Sequence, residues 1–130
     1  MQRLRVQLRL VFEGGKTFGP GKADLLTLIR TLGSIAAAGR EMRMSYKRAW
    51  GLVDEMNAIF TAPLVATERG GAGHGGAKVT DLGLEILARY RHLETGVGDS
   101  AGPDIQFFIR NLAPTADLPN QSPPDMFAET

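Results

Sequence analysis

Apolar and polar residues alternate at the start of the chain. Over residues 4–12, leucine or valine stands at positions 4, 6, 8 and 10, and arginine or glutamine at positions 5, 7 and 9. A repeat of two is typical of a strand with one buried face. Gly14 and Gly15 end this strand, and we expect Gly19-Pro20-Gly21 to form a loop.

Helical spacing of apolar residues begins after this loop. Residues 22–32 predict a helix that Gly33 ends, because glycine adopts the left-handed conformation found at helix C-termini. Ser34 is placed to cap a short alanine-rich helix over residues 35–40, since its hydroxyl can accept a hydrogen bond from a free amide of the first turn. The apolar stripe of the first helix comprises Leu25, Leu28, Ile29 and Leu32.

A break of about four residues centred on Arg43-Met44 separates the short helix from a longer one. Ser45 caps this longer helix, which we expect over residues 46–60. Its predicted buried stripe comprises Ala49, Trp50, Val53, Met56, Ile59 and Phe60. Trp50 lies on that stripe, so we interpret it as a packing residue rather than a stacking residue.

Two short strands and a last helix follow. Residues 64–67 and 78–80 predict strands on either side of the glycine-rich segment 70–76. Thr80 or Asp81 then caps a helix over roughly residues 82–94.

The last part of the chain has a different composition. Residues 95–130 hold five of the seven prolines, and their one apolar cluster is at residues 105–109. We therefore expect a folded domain over residues 1–94 and an extended, proline-rich, acidic tail over residues 95–130.

Composition excludes several kinds of protein. The 130 residues are 43% hydrophobic and 22% charged, which suffices for one domain with a core. There is no cysteine and there are two histidines, so we expect no metal site, no catalytic residue and no enzyme activity. The chain has no apolar run long enough for a membrane span and no signal-peptide core at its start, which favours a cytoplasmic location without membrane association.

Charge is distributed unevenly. Residues 1–60 hold ten basic and five acidic residues, whereas residues 96–130 hold one basic and five acidic residues. A basic first half indicates a surface that faces a polyanion. The glycines at 71, 73 and 76 match the dinucleotide-binding spacing, but a strand rather than a helix follows them, which excludes that function.

The order of elements predicts an α+β, mainly α fold, namely a winged helix-turn-helix with an N-terminal strand and a C-terminal helix. In this fold the longer helix presents its N-terminal end to the major groove of DNA, and the hairpin, or wing, contacts the backbone. Hydroxyl groups and cations suit phosphates and guanine edges, whereas Asp54 and Glu55 would be repelled. The candidate DNA-binding residues are Ser34, Arg43, Ser45, Tyr46, Lys47, Arg48, Gly51, Arg69, Gly71, Gly73, His74 and Lys78.

Five blocks of sequence carry a resemblance to a known family: Gly33-Ser34-Ile35, Met44 to Trp50, Met56-Asn57, Leu64-Val65, and the glycine-rich run closing at Gly76-Ala77 and Thr80. They resemble the N-terminal DNA-binding domain of ModE-type, molybdate-responsive transcriptional regulators, over roughly residues 4–94. The resemblance implies a winged helix-turn-helix that forms a homodimer, partly through the N-terminal strand, and binds a palindromic operator in double-stranded DNA. It also implies that residues 45–48 begin the recognition helix.

The sequence departs from that family in two respects. Full-length relatives carry molybdate-binding domains, whereas 36 residues follow Glu94 here, with a lone Arg110-Asn111 pair in place of an oxyanion motif. We therefore expect no molybdate effector and no other cofactor. Ala36 and the segment 67–69 also differ from the usual family pattern, which leaves the operator sequence open.

Two other functions stay open at this point. The acidic tail and the net charge of +1 favour a protein-interaction module on a winged-helix scaffold, whereas the basic residues at 40–48 disfavour it. An oxyanion sensed at a dimer interface is a weaker alternative, because nothing in the sequence locates such a site.

Overall fold

The computed structural model describes residues 4–69 and 75–114. Over these residues the fold is mainly helical, with two small antiparallel strand pairs, so the predicted α+β, mainly α class is confirmed. The elements are β1 (Leu10–Val11), β2 (Thr17–Phe18), α1 (Pro20–Leu32), α2 (Ile35–Glu41), α3 (Tyr46–Ile59), β3 (Val65–Arg69), β4 (Gly75–Val79), α4 (Asp81–Ser100) and α5 (Gly102–Arg110). The helices and the β3–β4 pair follow one another in the order predicted for a winged helix-turn-helix.

The N-terminal segment alternates in burial as predicted, but most of it is not a strand. The apolar side chains at 4, 6, 8 and 10 are half-buried and the polar ones between them are exposed. Strand pairing is limited to β1, which lies antiparallel to β2 with Leu10 opposite Phe18. The sequence did not predict β2. β2 has only two residues and can therefore pair with only two residues of the N-terminal segment. The strand expected over residues 4–12 is wrong outside β1.

α1 begins two residues earlier than predicted. Pro20 is in its first turn, where the missing N–H costs nothing, so the loop expected at Gly19-Pro20-Gly21 is wrong. The helix ends as predicted at Gly33, whose φ of 70° is left-handed and whose N–H donates to the Ile29 carbonyl. Its buried face is formed by Leu25, Leu26 and Ile29, while Leu32, predicted as buried, is 44% exposed.

α2 and α3 cross closely at a glycine. A Cβ atom on Gly39 would lie 2.9 Å from the Ala49 Cβ, so only glycine permits this approach. Both predicted caps are confirmed: the Ser34 hydroxyl accepts from the Ala37 N–H and the Ser45 hydroxyl from the Arg48 N–H, each at 3.0 Å. The two helices therefore pack closely at Gly39, and each has a capped N-terminus.

The buried face of α3 differs in part from the predicted stripe. Its fully buried residues are Ala49, Leu52, Val53 and Met56. Leu52 was not predicted, and Trp50 and Phe60 are only half-buried against the core.

The β3–β4 pair packs against α1 and the glycine that ends it. The two strands are antiparallel, with Val65 opposite Val79 and Ala66 opposite Lys78. The Ala77 N–H donates to the Gly33 carbonyl at 3.0 Å, which extends the pair toward the α1–α2 junction. The pair is therefore tied to the helices that precede α3.

α4 is longer than predicted and a further helix follows it. The cap left open between two residues is Thr80, whose hydroxyl accepts from the Gly83 N–H at 3.0 Å. The extended segment expected from residue 95 onward is wrong as far as Arg110, since α4 continues to Ser100 and α5 follows. Pro103 lies in the first turn of α5, where proline is compatible with a helix.

Candidate nucleic-acid interface

The N-terminal end of α3 faces solvent. Ser45, Tyr46 and Lys47 are exposed and Arg48 is half-buried. The first turn of a helix has amide groups without a helical partner and a partial positive charge, both of which favour anions. The hydroxyl, phenol and cationic groups of these four residues thus lie at the end of α3 that is best suited to bind a phosphate.

One shallow depression gathers four of the candidate residues. Ser45, Lys47, Arg48 and Gly51 line it together with Leu52 and Glu55. A Cβ atom at Gly51 would meet no other heavy atom within 4 Å, so packing does not require glycine there. The missing side chain instead leaves the backbone of α3 open to a close neighbour.

Glu55, expected to repel phosphate, is paired with a buried cation that sequence reasoning missed. The Lys22 Nζ lies 3.0 Å from the Glu55 Oε1 and donates to the Thr17 carbonyl at 2.7 Å. Lys22 is only 5% exposed. Its place three residues before Leu25, on the buried side of α1, was the signal that it points inward. The pairing offsets the negative charge at this edge of the depression.

The turn between α2 and α3 contains an exposed arginine in an unusual conformation. Arg43 has a φ of 59°, in the left-handed region that costs most residues free energy. Its N–H donates to the Arg40 carbonyl, and the Met44 N–H donates to the Gly39 carbonyl, both at 2.9 Å. Ser34, another candidate residue, is half-buried, and its hydroxyl is used to cap α2.

The wing candidates are only partly described. Lys78 is exposed on β4, and Arg69 is the last residue of β3. Gly71, Gly73 and His74 lie outside the described residues. Lys78 is therefore the wing cation whose exposure is known.

Trp50 packs against the edge of the core, in agreement with its interpretation as a packing residue. Its ring meets that of Tyr46 edge-on, with centroids 6.1 Å apart. The buried indole Nε1 has no acceptor among the described residues. Tyr46 is thereby held against the helix while remaining 61% exposed.

Asn57 connects α3 to the wing, a role that sequence reasoning did not assign. Its Nδ2 donates to the Val65 carbonyl at 3.1 Å, and its Oδ1 accepts from the Leu64 and Val65 N–H groups at 2.8 and 3.1 Å. The only available signal was its position in the Met56-Asn57 block.

Apolar side chains are exposed on the two C-terminal helices. Leu93 and Val97 of α4 are 45% and 37% exposed, and Phe107 and Phe108 of α5 are 54% and 57% exposed. The two phenylalanine rings contact each other with centroids 5.6 Å apart. Clusters of exposed apolar residues often mark protein-protein contacts.

Metal and membrane sites are not found in the part of the chain that the structure describes. No three histidine or acidic side chains within residues 4–69 and 75–114 are grouped to hold a metal ion. Among the helices in those ranges, none has the length and apolar character needed to cross a bilayer.

The described residues define a class by their fold: a mainly helical α+β domain with two small antiparallel strand pairs and an exposed cationic end on α3. No model of a known protein family matches the sequence. Comparison with curated proteins is more specific. The chain is 42% identical over 83 residues to the molybdenum-pterin-binding protein MopB of Rhodobacter capsulatus, covering 64% of this chain and 31% of MopB.

Two ModE proteins are also similar. The molybdenum transport protein ModE of Azotobacter vinelandii is 34% identical over 119 residues, which cover 83% of this chain and 44% of that protein. The DNA-binding transcriptional dual regulator ModE of Escherichia coli is 37% identical over 71 residues, 55% of this chain and 27% of the regulator. The chain is thus similar to ModE and Mop molybdenum proteins over part of their sequences, and it spans less than half of the length of these relatives.

Proposed function

We propose that this chain is a sequence-specific, DNA-binding transcriptional regulator that acts in the cytoplasm through a winged helix-turn-helix. The observation that carries the proposal is the depression at the start of α3, which is lined by the exposed Ser45, Lys47 and Gly51 and the half-buried Arg48. A helix end of this kind fits the major groove, with cations available for phosphates and guanine edges. The ModE relatives, named as transcriptional regulators, support the same function.

The wing and the turn add contacts on either side of this helix end. Lys78 supplies an exposed cation on β4, and Arg43 supplies one at the turn before α3. Arg69 and the glycines at 71 and 73, with His74, complete the proposed wing contact. Each phosphate neutralised releases condensed counterions, so we expect affinity to fall steeply with salt.

We further propose that the regulator is a homodimer on a palindromic operator. Half-buried apolar side chains at residues 4–10 and exposed ones on α4 and α5 support a dimer, because a second copy would cover them. Two half-sites then lie about 34 Å apart, or a multiple of this distance. We expect molybdate not to be required for binding.

The test begins with selection of bound duplexes from random DNA, followed by anisotropy titration of one selected duplex. We expect the combined Lys47→Ala and Arg48→Ala changes to lower affinity at least about tenfold. The matched control combines Lys16→Ala and Arg89→Ala, which remove the same charge from exposed positions outside the proposed surface. Equal losses in both double variants would show that net charge alone matters and would refute this assignment of the surface.

A protein-interaction module is the second candidate, favoured by the exposed Phe107 and Phe108. Failure of the wild-type chain to enrich any DNA sequence would favour it over the regulator. Calorimetry with molybdate and tungstate tests the effector: we expect no heat of binding, and saturable binding would contradict that expectation.

A further inference from the structure

One amide side chain joins the end of α3 directly to the first residues of the wing. Asn57 lies in the last turn of α3 and makes hydrogen bonds with three backbone groups: the Leu64 N–H, the Val65 N–H and the Val65 carbonyl. An amide is suited to this position because it donates and accepts without carrying a charge. The first residues of the wing are therefore bonded directly to the helix.

A second set of contacts holds the same segment from the side of α4. The Thr80 hydroxyl donates to the Pro63 carbonyl at 2.7 Å, and the Thr80 N–H donates to the Leu64 carbonyl at 2.9 Å. A Cβ atom on Gly83 would collide with the Leu64 carbonyl oxygen and lie 2.7 Å from the Val79 Cγ1. Leu64 is thus fixed between Asn57 and the start of α4.

Small rotations at this junction change the position of Lys78. β3 rises about 3.3 Å per residue, and Lys78 lies opposite Ala66, one residue beyond Val65, so a rotation of about 15° at the junction shifts the backbone near Lys78 by roughly 1 Å and the end of its long side chain by more. A shift of about 1 Å is enough to lengthen a hydrogen bond of about 2.9 Å to a phosphate beyond its range. The direction of the wing must therefore be set accurately if α3 and the wing contact the same duplex.

We propose that Asn57 is a positioning residue that fixes the wing relative to α3, so that Lys78 and the first turn of α3 contact one DNA duplex together. The proposal rests on the proposed function. Asn57 itself is half-buried and acts through the backbone of residues 64 and 65.

A double-mutant cycle on the selected duplex tests the proposal. Alone, Lys78→Ala should weaken DNA binding about two- to fivefold and lower the salt slope by about 0.9, as expected for one lost phosphate contact. In the Asn57→Ala background the same change should have less than about a twofold effect, because Lys78 is no longer aligned with its phosphate. Additive effects of the two changes would overturn the proposal.

A structural role alone would not produce this pattern, and two further variants make that clear. Asn111→Ala removes an amide that donates to its own helix at the Phe107 carbonyl, and should leave the effect of Lys78→Ala unchanged. If Asn57→Ala does not fold, Asn57→Asp takes its place. The aspartate keeps the acceptor for the two N–H groups and loses the donor to Val65, so it should also reduce the effect of Lys78→Ala.

A measurement without DNA separates this proposal from the proposed function. The chain has no cysteine, so spin labels at Asp54→Cys and Thr67→Cys, both exposed positions, are unique. We expect a single narrow distance between α3 and β3 that broadens or shifts in the Asn57→Ala variant. An unchanged distribution would overturn the positioning role even if DNA binds. If the wild-type chain binds no DNA and the distance still depends on Asn57, the proposed function is wrong but the positioning role of Asn57 stands.

Discussion

At Arg43 we expect one substitution to change the stability of the fold and the proposed affinity for DNA in opposite directions. It is exposed in the turn between α2 and α3 and has a left-handed backbone with a φ of 59°. We predict that Arg43→Gly stabilises the protein and weakens its binding to DNA, because glycine relieves the backbone and removes the cation.

The stability change follows from two opposing effects. A side-chain-bearing residue in the left-handed region costs roughly 1–2 kcal/mol, which glycine avoids. Glycine also increases the entropy of the unfolded chain, which costs about 0.4–1 kcal/mol. The net expectation is a gain of about 0.5–1 kcal/mol in the free energy of unfolding, or a rise of a few degrees in melting temperature.

The effect on DNA binding follows from charge. If Arg43 contacts a phosphate, its removal should lower the slope of log affinity against log salt by about 0.9. Arg43→Lys is the matched control, because it retains the charge and the unfavourable backbone. It should bind DNA nearly as tightly as the wild type and show no gain in stability.

Urea denaturation measures the change in stability, and anisotropy titration at several salt concentrations measures the change in DNA binding. A loss of stability in Arg43→Gly would refute the argument from the backbone. An unchanged salt slope in that variant would show that Arg43 contacts no phosphate.

Three further predictions concern the support of the site. Lys22→Met should lower the free energy of unfolding, measured by urea denaturation, by about 1–2 kcal/mol. The loss is small because water screens the half-exposed Glu55, and a loss above about 4 kcal/mol would contradict this. Burial, with a smaller effect of a nearby glutamate, raises the pKa of Tyr90 to about 12, and its hydroxyl donates to the Leu8 carbonyl at 2.6 Å. Because the folded pKa lies above the unfolded value of about 10, stability should be complete below pH 10 and decline as the pH rises to about 12; Tyr90→Phe should lack this decline in alkaline denaturation. Ser45→Ala should cost about 1 kcal/mol in melting experiments through loss of the α3 cap, and no change would mean that the cap is dispensable.

Local signals in the sequence were sufficient for the helices that surround the site. Ser34 and Ser45 cap α2 and α3 as predicted, because a serine N-cap accepts a hydrogen bond from the first turn of its own helix and needs no distant contact. Gly33 ends α1 for the same local reason. The predicted start of α1 was two residues too late, because Gly-Pro-Gly is typical of loops. Proline is, however, also favoured in the first turn of a helix.

Contacts between distant segments could not be predicted in this way. The Lys22–Glu55 ion pair joins α1 to α3, and Asn57 bonds to residues beyond the end of its helix. Both depend on how elements pack, which periodicity does not describe. The helices beyond residue 94 were missed because residues 95–130 hold five prolines, but four of these lie at position 114 or later, and Pro103 alone falls within the segment that is helical.

The salt dependence of DNA binding tests the central claim most directly. The affinity of the wild-type chain for its selected duplex is measured by anisotropy from low to moderate salt, beside the Lys47→Ala and Arg48→Ala double variant. A regulator that binds through α3 and the wing should show a steep linear fall, and the variant should have a slope smaller by about 1.8. A flat response of the wild type, or equal slopes for both proteins, would contradict the account.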